Sequence, residues 1–117
     1  MSFKERVVFL DRAAFTAADL PIPCFEHNWS EYPFTEPSDL VPRLFWSTTA
    51  ITHATPIDAE AIGQLHKLLR IVTTGPAYVD ETACQARGIS VTHLPEKASS
   101  EHALIRLLET CVAEAKH

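Results

Sequence analysis

The sequence predicts an α/β protein: a flavodoxin-like, doubly wound, five-stranded parallel sheet in the order 2-1-3-4-5 with helices on both faces. Three observations predict it. Short apolar runs alternate with helical patterns five times along 117 residues, and such alternation joins parallel strands through right-handed crossovers. Glycine is scarce, three against eight prolines, so the chain has few places for φ > 0 turns. Two prolines flank the start of the second run and confine it to an edge, because proline cannot donate to a sheet ladder.

Val7-Val8-Phe9-Leu10 is β-branched and aromatic, closed by Asp11, and reads as a buried strand. Residues 12–20 are alanine-rich and predict a short helix stopped by Pro21. Ile22 to His27 is the second, weaker strand, with Pro21 and Pro23 marking the edge. Residues 28–37 form a polar, aromatic connection carrying Trp29, Tyr32 and Phe34. Ser38 or Asp39 caps a helix through about Phe45, with Pro42 tolerable in its first turn. Thr48 to Thr52 is the third strand.

Thr55-Pro56 opens the next helix, where Asp58 and Glu60 suit the positive end and Ile57, Ala61, Ile62 and Leu65 supply the buried face. Leu68 to Thr74 is the fourth strand, ended by Gly75-Pro76. Residues 79–87 form a helix stopped by Gly88 at the favoured C′ position. Ile89 to Leu94 is the fifth strand, ended by Pro95. Ser99 or Ser100 caps the longest helix, running to His117, with Leu104, Leu107, Leu108, Cys111, Val112 and Ala115 on one side and Ile105 widening the stripe.

Composition narrows the function classes. The length fits a single domain, residues 1–117. Net charge is −5 and the Lys and Arg residues form no basic stripe, which argues against nucleic-acid binding. No stretch approaches the ~18 apolar residues of a membrane span, and the first residues lack the apolar core of a signal peptide. Cys24, Cys84 and Cys111 are odd in number and widely spaced, so a disulfide framework is not expected and a cytoplasmic location is.

From Leu68 to Leu94 the chain places Thr74-Gly75 at a strand end, Val79-Asp80 at a helix start, Arg87-Gly88-Ile89 at its end, and a strand running into Pro95. Upstream stand Val7 to Asp11, and Ala50-Ile51-Thr52 followed by Pro56-Ile57-Asp58-Ala59-Glu60. Downstream stands Glu101-His102-Ala103-Leu104. In this order the features resemble the substrate-binding domain of the D-isomer-specific 2-hydroxyacid dehydrogenases, and the resemblance covers nearly the whole chain. It implies a loop after the fourth strand whose backbone N–H groups hold a substrate carboxylate, at Thr73, Thr74, Gly75 and Ala77. Pro76 has no N–H, which leaves that cradle a donor short. The other reading of Gly75-Pro76 is a stiff strand-to-helix turn.

The resemblance also implies a separate NAD-binding part with a Gly-x-Gly-x-x-Gly turn and catalytic Arg, Glu and His residues. Gly63, Gly75 and Gly88 are too far apart to make that turn, no His matches the catalytic one, and the connection from Pro95 to Glu101 is shorter than the family's. The chain is therefore expected to stop before the cofactor domain, with no catalytic or cofactor-binding residue of its own.

His53 and His93 fall at C-terminal strand ends, where open α/β sheets bind ligands. One reading is a polar pocket of His53, Thr74 and His93, the other a pair of solvent-facing loop histidines. No metal site is expected, since the two lack a motif spacing and a third ligand. Cys84 reads as core. Trp29, Tyr32, Phe34 and Trp46 either cap the sheet or line a surface. Asp11 after the first strand raises a phosphorylated-receiver reading, which fails because the third strand ends in Ile51-Thr52-His53 without an Asp.

Three functions compete: a stand-alone module binding a small 2-oxo or 2-hydroxy acid or regulating a partner; a subunit of a split dehydrogenase whose NAD comes with another chain; and an inactive truncated relic. The last helix is expected to cover one face of the sheet, either its own or a partner's in a homodimer.

Overall fold

The computed structural model describes residues 5–14, 27–75, 77–94 and 101–115. Within them five strands, β1 (Glu5–Phe9), β2 (His27–Glu31), β3 (Thr49–Thr52), β4 (Arg70–Thr73) and β5 (Ser90–His93), form one parallel sheet in the order β2-β1-β3-β4-β5. Four α-helices accompany it: α1 (Leu40–Leu44), α2 (Ala59–Gln64), α3 (Glu81–Arg87) and α4 (Glu101–Ala115). The predicted fold class and strand order are those observed.

The second strand lies further along the chain than the sequence suggests. Pairing runs from Glu5↔His27 to Phe9↔Glu31, so residues expected to be a connection form the edge strand. His27-Asn28-Trp29-Ser30-Glu31 has almost no apolar pattern because it is largely exposed, and only Trp29 packs against a core cluster. The expected strand from Ile22 and most of the expected helix over 12–20 lie outside the described residues; Arg12–Ala14 form a 3-10 turn.

Alternation along the strands divides the core in two. Val8, Leu10, Ala50 and Ile71 face one side, packing on Leu40 and Leu44 of α1, Ala61 and Ile62 of α2, and Cys84 of α3. Val7, Phe9, Ile51 and Val72 face the other, under Leu104, Ile105 and Leu108 of α4. The α4 helix thus covers its own sheet. The central strands β3 and β4 are buried at every residue, as parallel strands covered on both faces must be. Each fully buried Leu or Ile contributes about 1.5–3 kcal/mol.

Asp58 and Asp80 cap α2 and α3 by accepting from Ala61 N–H at 2.9 Å and Ala83 N–H at 3.0 Å. Gly88 ends α3 with φ +73°, the left-handed conformation a C′ glycine permits. At the N-terminal edge of the sheet Glu5 and Arg70 form a buried ion pair, joined by Thr48, whose hydroxyl donates to Glu5 at 2.8 Å, and Thr49, which accepts from Arg70 at 2.8 Å.

Candidate functional site

The opposite, C-terminal edge carries the residues singled out above. Its organiser is Asp11, just past β1. Asp11 Oδ2 accepts from the backbone N–H of His53 at 2.8 Å, Ala54 at 3.0 Å and Thr55 at 3.1 Å, while the Thr52 hydroxyl donates to Thr55 O at 2.7 Å. Oδ1 accepts from the Thr55 hydroxyl at 2.6 Å. Burial raises the Asp11 pKa, but the hydrogen bonds from the Thr55 hydroxyl and from the Ala54, His53 and Thr55 N–H groups outweigh it, holding the carboxyl below its ordinary 3.8. The loop from β3 to α2 is folded around one ionised carboxylate.

The neighbouring turn, from β4 to α3, hangs on this loop. Thr74 N–H donates to Thr52 O at 2.9 Å and Ala77 N–H to His53 O at 3.0 Å. Two of the four expected cradle donors are thereby engaged inside the protein, and Thr73 is the last residue of β4. Gly75 is different: its N–H has no partner among the described residues.

Position 75 is glycine for a reason of space. Its φ is not positive, Gly88 alone having that conformation among the described glycines. A Cβ there would stand 2.5 Å from Cε1 and Nδ1 of His53 and 2.9 Å from its Cγ, so the imidazole lies against the glycine. The same ring is held by its Nδ1, 3.2 Å from Thr74 Oγ1. His53 Nε2 has no partner among the described residues.

His93 belongs to a separate cluster. Its Nδ1 is 2.7 Å from Thr73 Oγ1 and its Nε2 3.5 Å from Glu81 Oε2 at the start of α3. Thr73 and His93 follow the alternation of Ile71 and Val91, toward α1, α2 and α3, whereas His53 and Thr74 follow that of Ile51 and Val72, toward α4. The two histidines therefore sit on opposite faces. The structure joins His53 to Thr74, Gly75 and Ala77, and His93 to Thr73 and Glu81, rather than gathering all six candidates into one pocket.

No group of three or more His, Cys, Asp or Glu among the described residues could hold a metal ion. Cys84 is fully buried, and burial first, then Asp80 and Glu81, push its thiol pKa up, which makes it an inert core residue. Trp29 and Tyr32 pack on the two core clusters, while Phe34 and Trp46 are 70% and 60% exposed. Among the described residues no helix is long and apolar enough to cross a membrane.

No protein-family model matches the chain. It is 34% identical over 98 residues to a protein of Haemophilus influenzae provisionally named a 2-hydroxyacid dehydrogenase, covering 81% of this chain and 31% of that protein. It is 34% identical over 93 residues to a glycerate dehydrogenase of Methylorubrum extorquens, covering 77% of this chain and 29% of that one. The NAD+-bound 3-phosphoglycerate dehydrogenase of Entamoeba histolytica superposes with a TM-score of 0.64 at 19% identity, over 80% of this chain and 33% of that chain, a likeness of fold. The chain spans about a third of the length of the relatives it matches.

Proposed function

We propose that this chain, related in sequence to 2-hydroxyacid and glycerate dehydrogenases over about four-fifths of its length, is the substrate-holding part of such a fold. It binds a small 2-oxo or 2-hydroxy acid at the C-terminal edge of its sheet and transfers no hydride with its own residues. The observation that carries the reading is Gly75 N–H, a donor without a partner among the described residues, in a turn fixed to β3 and next to an imidazole. Hydride transfer needs a bound nicotinamide, a group to hold the carboxylate and an acid–base group at the carbinol oxygen. The described residues offer candidates for holding the carboxylate. NAD enters only with other residues or another chain.

The working role is a small-carboxylate-binding or regulatory module in the cytoplasm, a location that fits the free thiols of Cys84 and Cys111. A second reading is that these residues supply the substrate side to a cofactor-binding part, since the dehydrogenases they resemble are about three times as long. A homodimer through α4 would have to use its half-buried Leu107 and Cys111, because Leu104, Ile105 and Leu108 are spent on the sheet.

A thermal-shift titration with glyoxylate, hydroxypyruvate, glycerate and lactate, each with and without NADH, tests the reading. Acid at ten times its Kd stabilises the folded state by about 1.4 kcal/mol, a rise of ~5 °C for a domain of this size. A saturable rise independent of NADH is expected. No rise with any acid would remove the carboxylate site. A rise only when NADH is present would favour the second reading.

A further inference from the structure

One corner of the sheet is open on the face that α1, α2 and α3 pack against. Strand β1 is buried at every residue but Arg6. Arg6 shares its side of the strand with Val8, which packs in the core cluster under those helices. Asn28 and Ser30 of β2, the register partners of Arg6 and Val8, stand on the same side and are exposed. The five-residue α1 leaves them open. Arg43 at its end and Trp46 and Ser47 beyond it form the wall of a groove of ≈ 430 Å³. Sites for small molecules span about 300–1,000 Å³.

The groove is cationic: two arginines line it and no carboxylate does. The two differ. Arg43 is held, with Nη1 donating to Phe34 O at 3.0 Å and Thr35 Oγ1 at 2.9 Å, its guanidinium 3.9 Å from the centre of the Tyr32 ring, and Nη2 3.7 Å from Asp39 Oδ2. Arg6 is fixed by its backbone alone. Its N–H donates to Thr48 Oγ1 at 2.9 Å and its O accepts from Thr48 N–H at 2.9 Å. Its guanidinium has no hydrogen bond or ion pair among the described residues. A guanidinium takes a carboxylate or phosphate through two parallel N–H groups. Trp46 is exposed, and an edge-to-face contact with Phe45, ring centroids 5.1 Å apart, steadies its indole. An exposed indole offers a flat apolar surface to a ring.

We propose that this groove binds a small aromatic anion, a ring carrying a carboxylate or a phosphate. The anionic group pairs with Arg6, the ring lies against Trp46, and Asn28 and Ser30 hydrogen-bond its polar rim. Aryl carboxylates and mononucleotides share this chemistry. A neutral ring lacks the partner for Arg6, and an anion without a ring lacks the contact with the indole, so each binds more weakly. The groove shares no residue with the loop and turn around Gly75, so the proposal does not rest on the carboxylate reading given above.

The experiment is a 1H–15N correlation spectrum of the full chain titrated with benzoate and with AMP, and with their uncharged counterparts benzamide and adenosine, repeated with Arg6→Met. The chain has two tryptophans and hence two indole N–H signals, told apart by Trp46→Phe. That of Trp29 donates to Glu31 Oε1 at 3.1 Å. The expected result is a saturable shift of the Trp46 indole and of the Asn28 and Ser30 amides with at least one of the anions, and a smaller shift of the Trp29 indole. The uncharged counterpart of that anion should bind at least tenfold more weakly, and so should the anion itself to Arg6→Met, whose otherwise unchanged spectrum establishes that it is folded. Response to benzoate alone assigns the site to aryl carboxylates, response to AMP alone to nucleotides. No saturable shift with either anion, equal binding of the uncharged counterpart, or undiminished affinity in Arg6→Met would overturn the proposal. The first two outcomes are read on the natural protein and need no variant.

Discussion

The imidazole of His53 lies against Gly75 so closely that a Cβ at position 75 would stand 2.5 Å from two of its ring atoms. That contact ties the end of β3 to the turn after β4, and Thr74 Oγ1 completes it through Nδ1. Gly75→Ala must push the ring away and break its hydrogen bond with Thr74. Overpacking of this kind costs about 1–3 kcal/mol. The cost disappears largely in the double variant Gly75→Ala/His53→Ala, because the clash needs both side chains, so a double-mutant cycle by urea unfolding gives strong coupling. Additive effects would place the ring elsewhere.

Asp11 and Thr55 make a second sharp comparison. Asp11→Ala leaves the N–H groups of His53, Ala54 and Thr55 without their acceptor and is expected to cost about 2–3 kcal/mol. Asp11→Asn keeps one oxygen for those three donors, and its amide faces Thr55 Oγ1, a hydroxyl that can turn from donor to acceptor. It is expected to cost at least ~1 kcal/mol less than Asp11→Ala. Equal losses in the two variants would mean that the charge, not the geometry, holds the loop.

The pH dependence of stability follows from the same carboxylate. Its folded pKa is depressed below 3.8, so its contribution is present above that value and is lost as the pH falls through the folded pKa. The stability difference between the natural protein and Asp11→Asn should be constant from pH 7 to pH 5 and shrink below about pH 4. Chemical unfolding at stepped pH measures it. A difference unchanged down to pH 2.5 would contradict the ionised state.

Gly88 tests the backbone rather than a contact. A Cβ there meets nothing within 4 Å, yet φ is +73°, so Gly88→Ala carries only the left-handed strain, about 1–2 kcal/mol. Gly88→Asn is expected to lose less, since Asn tolerates that conformation. Equal losses for the two would implicate packing instead.

Glu5 and Arg70 are buried partners. Arg70→Met leaves Glu5 a buried carboxylate without its cation and is expected to cost about 3–5 kcal/mol. Glu5→Leu/Arg70→Met removes both charges and is expected to be more stable than Arg70→Met alone. If the double variant were the less stable one, Glu5 would contribute through its bond from Thr48 rather than through the ion pair.

The parts of this fold legible in the sequence are those with a periodic or conformational signature. β3 to β5 announce themselves by apolar runs, α2 and α3 by Asp58, Asp80 and Gly88. β2 does not, because an edge strand open to solvent needs no alternation and His27–Glu31 has little. Within the site, His53, Thr74 and Gly75 were marked by their place at strand ends. Alternation along β3, β4 and β5 already implied that His53 and His93 face opposite sides, once the register Thr52↔Thr73↔His93 is known; the register itself is not written in the residues. Asp11 reads as a strand terminator, and nothing local to it foretells that the donors from residues 52–55 close on it, since they come from more than forty positions away.

The most direct test of the carboxylate site is the backbone amide of Gly75 in a 1H–15N correlation spectrum titrated with glyoxylate at pH 6. An N–H that has no partner among the described residues gains an anionic acceptor on binding, so its resonance should move downfield and saturate with the ligand. The Thr74 and Ala77 amides, committed to Thr52 O and His53 O, should move less. A Gly75 resonance unmoved at saturating glyoxylate, with the shifts falling elsewhere, would contradict a carboxylate held at this turn.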